Sequence, residues 1–370
     1  MSDNRNSRNS VRAMTRRDFC RTVASAAAAV ASGSLAAPAL GQPAKAEALE
    51  KELVFSSRGG SLGNVYKTKI IPPFEQKFNC KVTMVVNDSG PALSKVVAEK
   101  ANPQTDVLWT VEPTHARGVA NDVFDRIDAG RVPNLERTYD FARGKDGMGV
   151  AWGIGATVIG YNREIFEQRK IPAPKSWKDI ITPETKGHVV WLDLSTQQGI
   201  NTFLMVNRIL GGSESNVDPI FRYLKANLSN ITVVTSPAQI DDLLLQKDAW
   251  IATNIDARFA ILKNKGFPLE IVFPSEGLPQ QSGILDIVKG APHPNLAHAF
   301  INWVLSDEMQ AVVGNDIQLG PVNKFVKLDP KVQASLVYGP ERTSKLLQFD
   351  YAIITRDQGK WIDRWNRELA

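Results

Sequence analysis

The chain has 370 residues, with 44 Lys and Arg against 39 Asp and Glu, and 2 Cys. That length exceeds what one hydrophobic core usually organises, so two lobes are expected. Six of the 44 basic and two of the 39 acidic residues lie in residues 1–44; the other 38 and 37 give a net charge of +1, which leaves no electrostatic case for nucleic acid or an anionic membrane as partner.

Residues 1–44 read as a leader rather than as fold. Thr15-Arg16-Arg17-Asp18-Phe19-Cys20-Arg21 is a twin-arginine motif behind a polar start. An Ala-rich apolar run over residues 23–40 follows; it has the length of a signal-peptide core and is too weakly apolar for a good membrane span. Small residues from Ala37 to Ala44 offer a cut between Gly41 and Ala48. The segment predicts a twin-arginine signal peptide, its removal, and delivery of a folded chain to the periplasm. Cys20 precedes the apolar run, so it is no lipid-attachment site. Only Cys80 then remains, which excludes an internal disulfide and predicts a buried, inert thiol.

From Glu52 onward strand and helix alternate. Leu53-Val54-Phe55 is a short apolar strand, and Tyr66, Ile70 and Phe74 recur on one helical face. Lys81–Val86 is the next strand, Pro91 sits near a helix start with Leu93, Val96 and Val97 as its apolar face, and Asp106-Val107-Leu108-Trp109 is a third strand before a helix opening at Glu112-Pro113. This βαβαβ run predicts an α/β fold with a doubly wound parallel sheet. The second half alternates in the same way. Extended runs at Ala156-Thr157-Val158-Ile159-Gly160-Tyr161 and at His188-Val189-Val190-Trp191-Leu192 are followed by a helix through Ile200, Phe203, Leu204 and Ile209, ended by Gly211-Gly212. Ser236-Pro237 opens another helix, strands follow at Trp250-Ile251-Ala252-Thr253, Leu269-Glu270-Ile271-Val272-Phe273 and residues 283–288, and the rest from Pro294 is mostly helical. No Pro/Gly/Ser-rich linker separates the lobes, so strand-like crossings are expected.

One motif points to catalysis. Gly59-Gly60-Ser61-Leu62-Gly63 fits G-x-S-x-G, the nucleophile elbow of serine hydrolases. Its placement argues against that chemistry: Ser61 follows the first strand, and none of the four histidines, His115, His188, His293 and His298, stands in a loop beside an acid. An exported serine hydrolase using Ser61 is therefore the alternative reading. The phosphate-binding, dinucleotide and zinc signatures are missing from the sequence, so no metal, cofactor or catalytic residue is assigned.

What remains is a set of polar loops at the carboxyl ends of strands, where open parallel sheets bind ligands. Ser57, Arg58, Gly59 and Gly60 combine close backbone approach, free amides at a helix start and a guanidinium fork; a plain tight connection is the competing account. Ser89 is either a ligand group or a simple helix cap. Trp109 with Glu112 suits a cation, or is a core Trp beside a helix-start acid. The second half contributes Ser195, Thr196 and Gln197, then Asn254 and Asp256, and Ser282 lies where the chain returns to the first lobe.

Together with Pro73-Phe74-Glu75-Gln76-Lys77-Phe78, Thr105-Asp106-Val107-Leu108-Trp109, Ile159-Gly160-Tyr161-Asn162, Pro174-Lys175-Ser176-Trp177-Lys178-Asp179 and Ala297-His298-Ala299-Phe300-Ile301-Asn302-Trp303, these loops make the chain resemble the periplasmic solute-binding proteins of ABC importers, in the group of polyamine, ferric-iron and thiamine binders. The resemblance implies two α/β lobes, residues 45–154 with 280–370 and residues 155–279, joined by a multiply crossed hinge. It also implies a monomer that captures a small-molecule solute in the interlobe cleft and presents it to an inner-membrane permease. Isolated tyrosines count against iron, and Ser282-Gly283-Ile284 replaces the aromatic and acid usual in polyamine binders. A polyamine-like cation and an organic anion are left at parity.

Overall fold

The structure is a computed structural model that describes residues 49–369; the twin-arginine motif and the cleavage region lie outside them. The first half is built as expected. β1 (Glu52–Ser57) leads through α1 (Gly60–Val65), a π-helical turn and α2 (Ile71–Phe78) to β2 (Lys81–Val86), α3 (Ser89–Ala98), β3 (Val107–Thr110), α4 (Glu112–Ala120) and the short β4 (Phe124–Asp125). β1 pairs in parallel with β2 and with β3. Leu53, Phe55, Tyr66, Ile70 and Phe74 are all fully buried, so the helical spacing read from the sequence does face the sheet. Val97 does not join them and stays exposed.

The long strand β5 (Val150–Asn162) carries the chain from one half to the other. Its first part runs antiparallel beside β10 (Leu278–Val288), from Ala156 against Gln280 to Val150 against Leu285. Its second part pairs with β8 (Ile251–Ile255) and with β9 (Leu269–Val272). The second half also contains α5 (Arg163–Arg169), β6 (Val189–Leu192), α6 (Gln197–Ile209), α7 (Asp218–Asn227), β7 (Ile231–Val234), α8 (Pro237–Leu245) and α9 (Asp256–Asn264). The strand order β2-β1-β3-β10-β5-β8-β6-β7 thus passes through β5 as the shared member. After β10 come α10 (Pro294–Val304), α11 (Asp307–Val312), the short α12 (Pro330–Gln333) and α13 (Gly339–Thr343), β11 (Leu346–Leu347), and the terminal helix α14 (Tyr351–Glu368).

Three expectations change. β10 starts at Leu278, well before the apolar run from Gly283, because Gln280, Gln281 and Ser282 are polar yet buried between neighbouring strands. The end of the C-terminal stretch does not stay with the first half: Phe300 packs on Phe55, but Phe349, Ile354 and Trp361 join the core cluster of Trp191, Phe203 and Phe221 in the second. Cys80 is only half-buried, because it sits in the turn ahead of β2 rather than inside the strand. Its thiol is pushed up by partial burial and then by the Glu75 charge. A continuous apolar core links Phe55 and Trp152 of the first half with Val190, Ala252 and Phe259 of the second, so the halves meet through a packed crossing and not a tether.

Candidate functional site

β1 ends beside β3, β3 beside β10, and β10 beside β5 where the chain crosses between the halves. At the end of β1, Ser57 is buried and Arg58 is exposed, its guanidinium carbon 5.8 Å from the centre of the Trp109 ring on neighbouring β3. Gly59 and Gly60 follow, and Gly60 takes φ +69°, a left-handed value that a side chain would strain. The Trp109 indole N–H is buried without a partner, as are the Ser57 and Tyr66 hydroxyls and the Trp152 indole N–H. The two indole nitrogens converge on Gly283 of β10, where an added Cβ would stand 2.5 Å from that of Trp152 and 2.9 Å from that of Trp109. A buried polar group left unpaired costs about 1–3 kcal/mol, so a patch of donors around one glycine points to an acceptor that belongs there.

Glu112 opens α4 three residues after Trp109 and faces the other half. One carboxylate oxygen accepts the Ser282 amide of β10 and the other accepts the Gln197 side-chain amide of α6 at 3.1 Å. Gln197 also donates to the Tyr351 hydroxyl at 3.0 Å, at the start of α14. Burial pushes the Glu112 carboxyl up to about 7, against the hydrogen bonds from Gln197 and Ser282 that hold it down. Burial, and then the Glu112 charge, raises the Tyr351 hydroxyl. This chain of contacts joins both halves and the terminal helix through one acid.

The remaining sequence candidates separate from that junction. Thr196 is the N-cap of α6: its hydroxyl accepts from the Gly199 amide at 3.0 Å, which orients the turn that carries Gln197. Ser195 is exposed and donates to Asp193 at 2.6 Å, within its own turn. Ser89 lies 3.2 Å from the Thr114 hydroxyl, between the starts of α3 and α4. Asn254 is fully buried with its side-chain N–H₂ unpaired. Asp256 is wholly buried at the crossing, accepting from the Ala156 amide at 3.1 Å and the Val337 amide at 2.8 Å; burial pushes its carboxyl up to about 7. Both Asp256 oxygens serve backbone, so its observed task is to fasten β5 to the segment before α13.

Ser61 is exposed on the first turn of α1, and each histidine is engaged elsewhere: His115 with Asp286, His188 with the Asp248 carbonyl, His293 with Asp106, His298 with the Pro294 carbonyl. Among the described contacts none joins a histidine to Ser61. Among the described residues no group of three or more His, Cys, Asp and Glu is placed to hold a metal ion. Sequence reasoning missed Tyr66, Trp152 and Tyr351 as members of the junction. Tyr66 reads as core by spacing, and nothing in a single sequence separates a core indole from one whose N–H is held open.

The sequence profile of one family, described as bacterial extracellular solute-binding protein, matches residues 69–336. An uncharacterized protein of Haemophilus influenzae is 27% identical over 303 residues, covering 80% of this chain and 85% of the relative. A gamma-aminobutyric acid-binding protein of Pseudomonas aeruginosa is 24% identical over 307 residues, covering 80% of this chain and 85% of that protein. Among solved structures, an ABC transporter protein from Clostridium perfringens superposes with a TM-score of 0.76 at 23% identity, covering 86% of this chain and all of that one.

Proposed function

We propose, for a chain that belongs to the bacterial extracellular solute-binding proteins and serves as the substrate-binding component of an ABC importer, that its solute is a short zwitterion with an amine at one end and a carboxylate or phosphonate at the other. The protein is a periplasmic binding protein and not an enzyme. The carrying observation is the pair of opposite charges set by adjacent strand ends. Arg58 stands over Trp109 and Glu112 follows three residues later, about 10 Å along an extended backbone. Arg58, the Gly59 and Gly60 amides and the unpaired Ser57 and Trp109 donors suit the acid end. The Glu112 carboxylate, which has acceptor sites beyond those used by Ser282 and Gln197, suits the ammonium. The relative that binds gamma-aminobutyric acid supports this class.

In this reading the β5 and β10 crossings are the hinge, and the solute favours closure through contacts made from both sides, Arg58 and Glu112 on one and the Gln197 turn on the other. Ser89, Ser195 and Asn254 border the same mouth, and Ser282 holds Glu112 in place through its backbone amide. Export of the already folded chain by the twin-arginine route belongs to the same proposal.

The test is a thermal-shift panel with 4-aminobutanoate, 2-aminoethylphosphonate and putrescine on the mature protein and on Arg58→Ala. The two zwitterions raise the melting temperature of the parent protein. In Arg58→Ala their affinity falls by about ten- to a hundredfold, the value of one charge-assisted contact. A shift by putrescine alone, unaltered in Arg58→Ala, would replace the zwitterion with a polyamine-like cation.

A further inference from the structure

A second recess lies on the opposite face of the hinge strands from the indole pair. Gly283 faces Trp109 and Trp152, while its neighbours Ser282 and Ile284 line a cavity of about 930 Å³. Its floor is α4, from Glu112 to Val119; its walls are the loop of residues 140–149 and the segment of residues 348–351 ahead of α14. None of Ser57, Arg58, Trp109, Ser195 or Asn254 lines it; Glu112 is the member it shares with the proposed solute site.

Its chemistry is legible from which polar groups are already spoken for. The acids are engaged: Glu112 by Ser282 and Gln197, Glu214 by the Asp350 amide, Asp350 by the Ala352 and Ile353 amides, and Asp140, whose side chain is 94% exposed, by Arg143 at 3.8 Å. Of the basic groups, Arg143 is spent on Thr138 and Asp140, and two others stay open. His115 spends Nδ1 on buried Asp286 at 2.8 Å, and Asp286 is held in turn by the Thr110 hydroxyl at 2.7 Å. That leaves Nε2 uncommitted among the described contacts, on a ring that borders the cavity. Lys145 on the rim has no ion-pair partner among the described residues. Burial alone would lower the His115 pKa, but its bond to Asp286, with the charges of Asp286 and Glu112, raises it instead, which favours the charged ring. Phe141 and Phe349 supply flat apolar walls. Gly149 keeps the loop close: at φ +68° an added Cβ would stand 2.8 Å from His115 Cε1.

We propose that this recess is a second small-molecule site, for an aromatic carboxylate whose ring lies against Phe141 and Phe349 and whose acid group meets His115 and Lys145. The volume is at the upper end of the range for pockets that enclose drug-sized ligands. Glu112 and Tyr351 border both this recess and the bridge between the halves, so occupancy here reports on closure there.

The experiment is calorimetric titration of the mature protein with benzoate, with benzylamine as the probe of opposite charge, repeated in the presence of 4-aminobutanoate. Benzoate binds one to one and benzylamine does not. His115→Gln and, independently, Lys145→Met on the exposed rim each weaken benzoate by about tenfold or more, the loss of a charge-assisted hydrogen bond. Arg58→Ala leaves benzoate binding intact, so failure of the zwitterion reading does not touch this one. The proposal is overturned if benzoate gives no heat, if both variants bind it as the parent does while melting at the parent temperature, or if Arg58→Ala abolishes it.

Discussion

At the scale of single residues, Glu112 concentrates the physics. It is a buried acid, its carboxyl raised to about 7, and its two oxygens join β10 and α6. A carboxyl whose folded pKa lies above its unfolded value, about 4.3, binds a proton more tightly when folded, so its stabilising effect is complete below the unfolded value and is lost as pH rises through about 7. Glu112→Gln keeps an oxygen for the Ser282 amide and cannot titrate. Urea unfolding at about pH 5 and about pH 8 is expected to show a smaller fall in stability for the variant than for the parent. Asp256, raised by burial to about 7 as well, contributes a fall of the same sign to both proteins. An equal or steeper fall in Glu112→Gln would show that Glu112 is not the buried acid described.

At the scale of elements, the start of α6 shows how a cap positions a functional side chain. Thr196 carries no visible ligand-facing geometry; its hydroxyl closes the first turn on the Gly199 amide, and the next residue, Gln197, reaches Glu112. Thr196→Ala should cost about 1 kcal/mol in urea unfolding, the usual loss for such a cap, with Thr196→Ser restoring most of it. No change in the alanine variant would mean that the cap does not hold the turn. Here the sequence is partly legible. The Ser195-Thr196-Gln197 loop reads as a helix start with polar groups, but the sequence does not say which of the three reaches across. The helical face at Tyr66, Ile70 and Phe74 and the strands β1 to β3 are readable because their apolar periodicity is set by burial on one side. The first part of β10 is not, because Gln280, Gln281 and Ser282 are buried among other polar groups of the crossing and mimic a surface loop in sequence. The same blindness hides Trp152 and Tyr351, whose importance lies in an N–H and an O–H rather than in apolar area.

At the scale of the whole molecule, two half-sheets share β5, a terminal helix that begins beside Glu112 packs against the second half, and Asp256 fastens the crossing to the segment before α13. The alternation of strand and helix predicts this class of fold, since each βαβ unit is local in sequence. The placement of α14 is not predictable in that way, because it depends on packing between Trp361 and Phe203, far apart in the chain. In the proposed reading the solute meets the Arg58 guanidinium at one end and the buried Glu112 acid at the other. The most direct test is a crystal structure of the mature protein grown with 4-aminobutanoate. The account predicts the intact solute between the halves, its carboxylate against Arg58 and Trp109 and its ammonium against Glu112, with the Gln197 turn completing the enclosure. A solute held by one half alone, or bound with its two ends reversed, would contradict it.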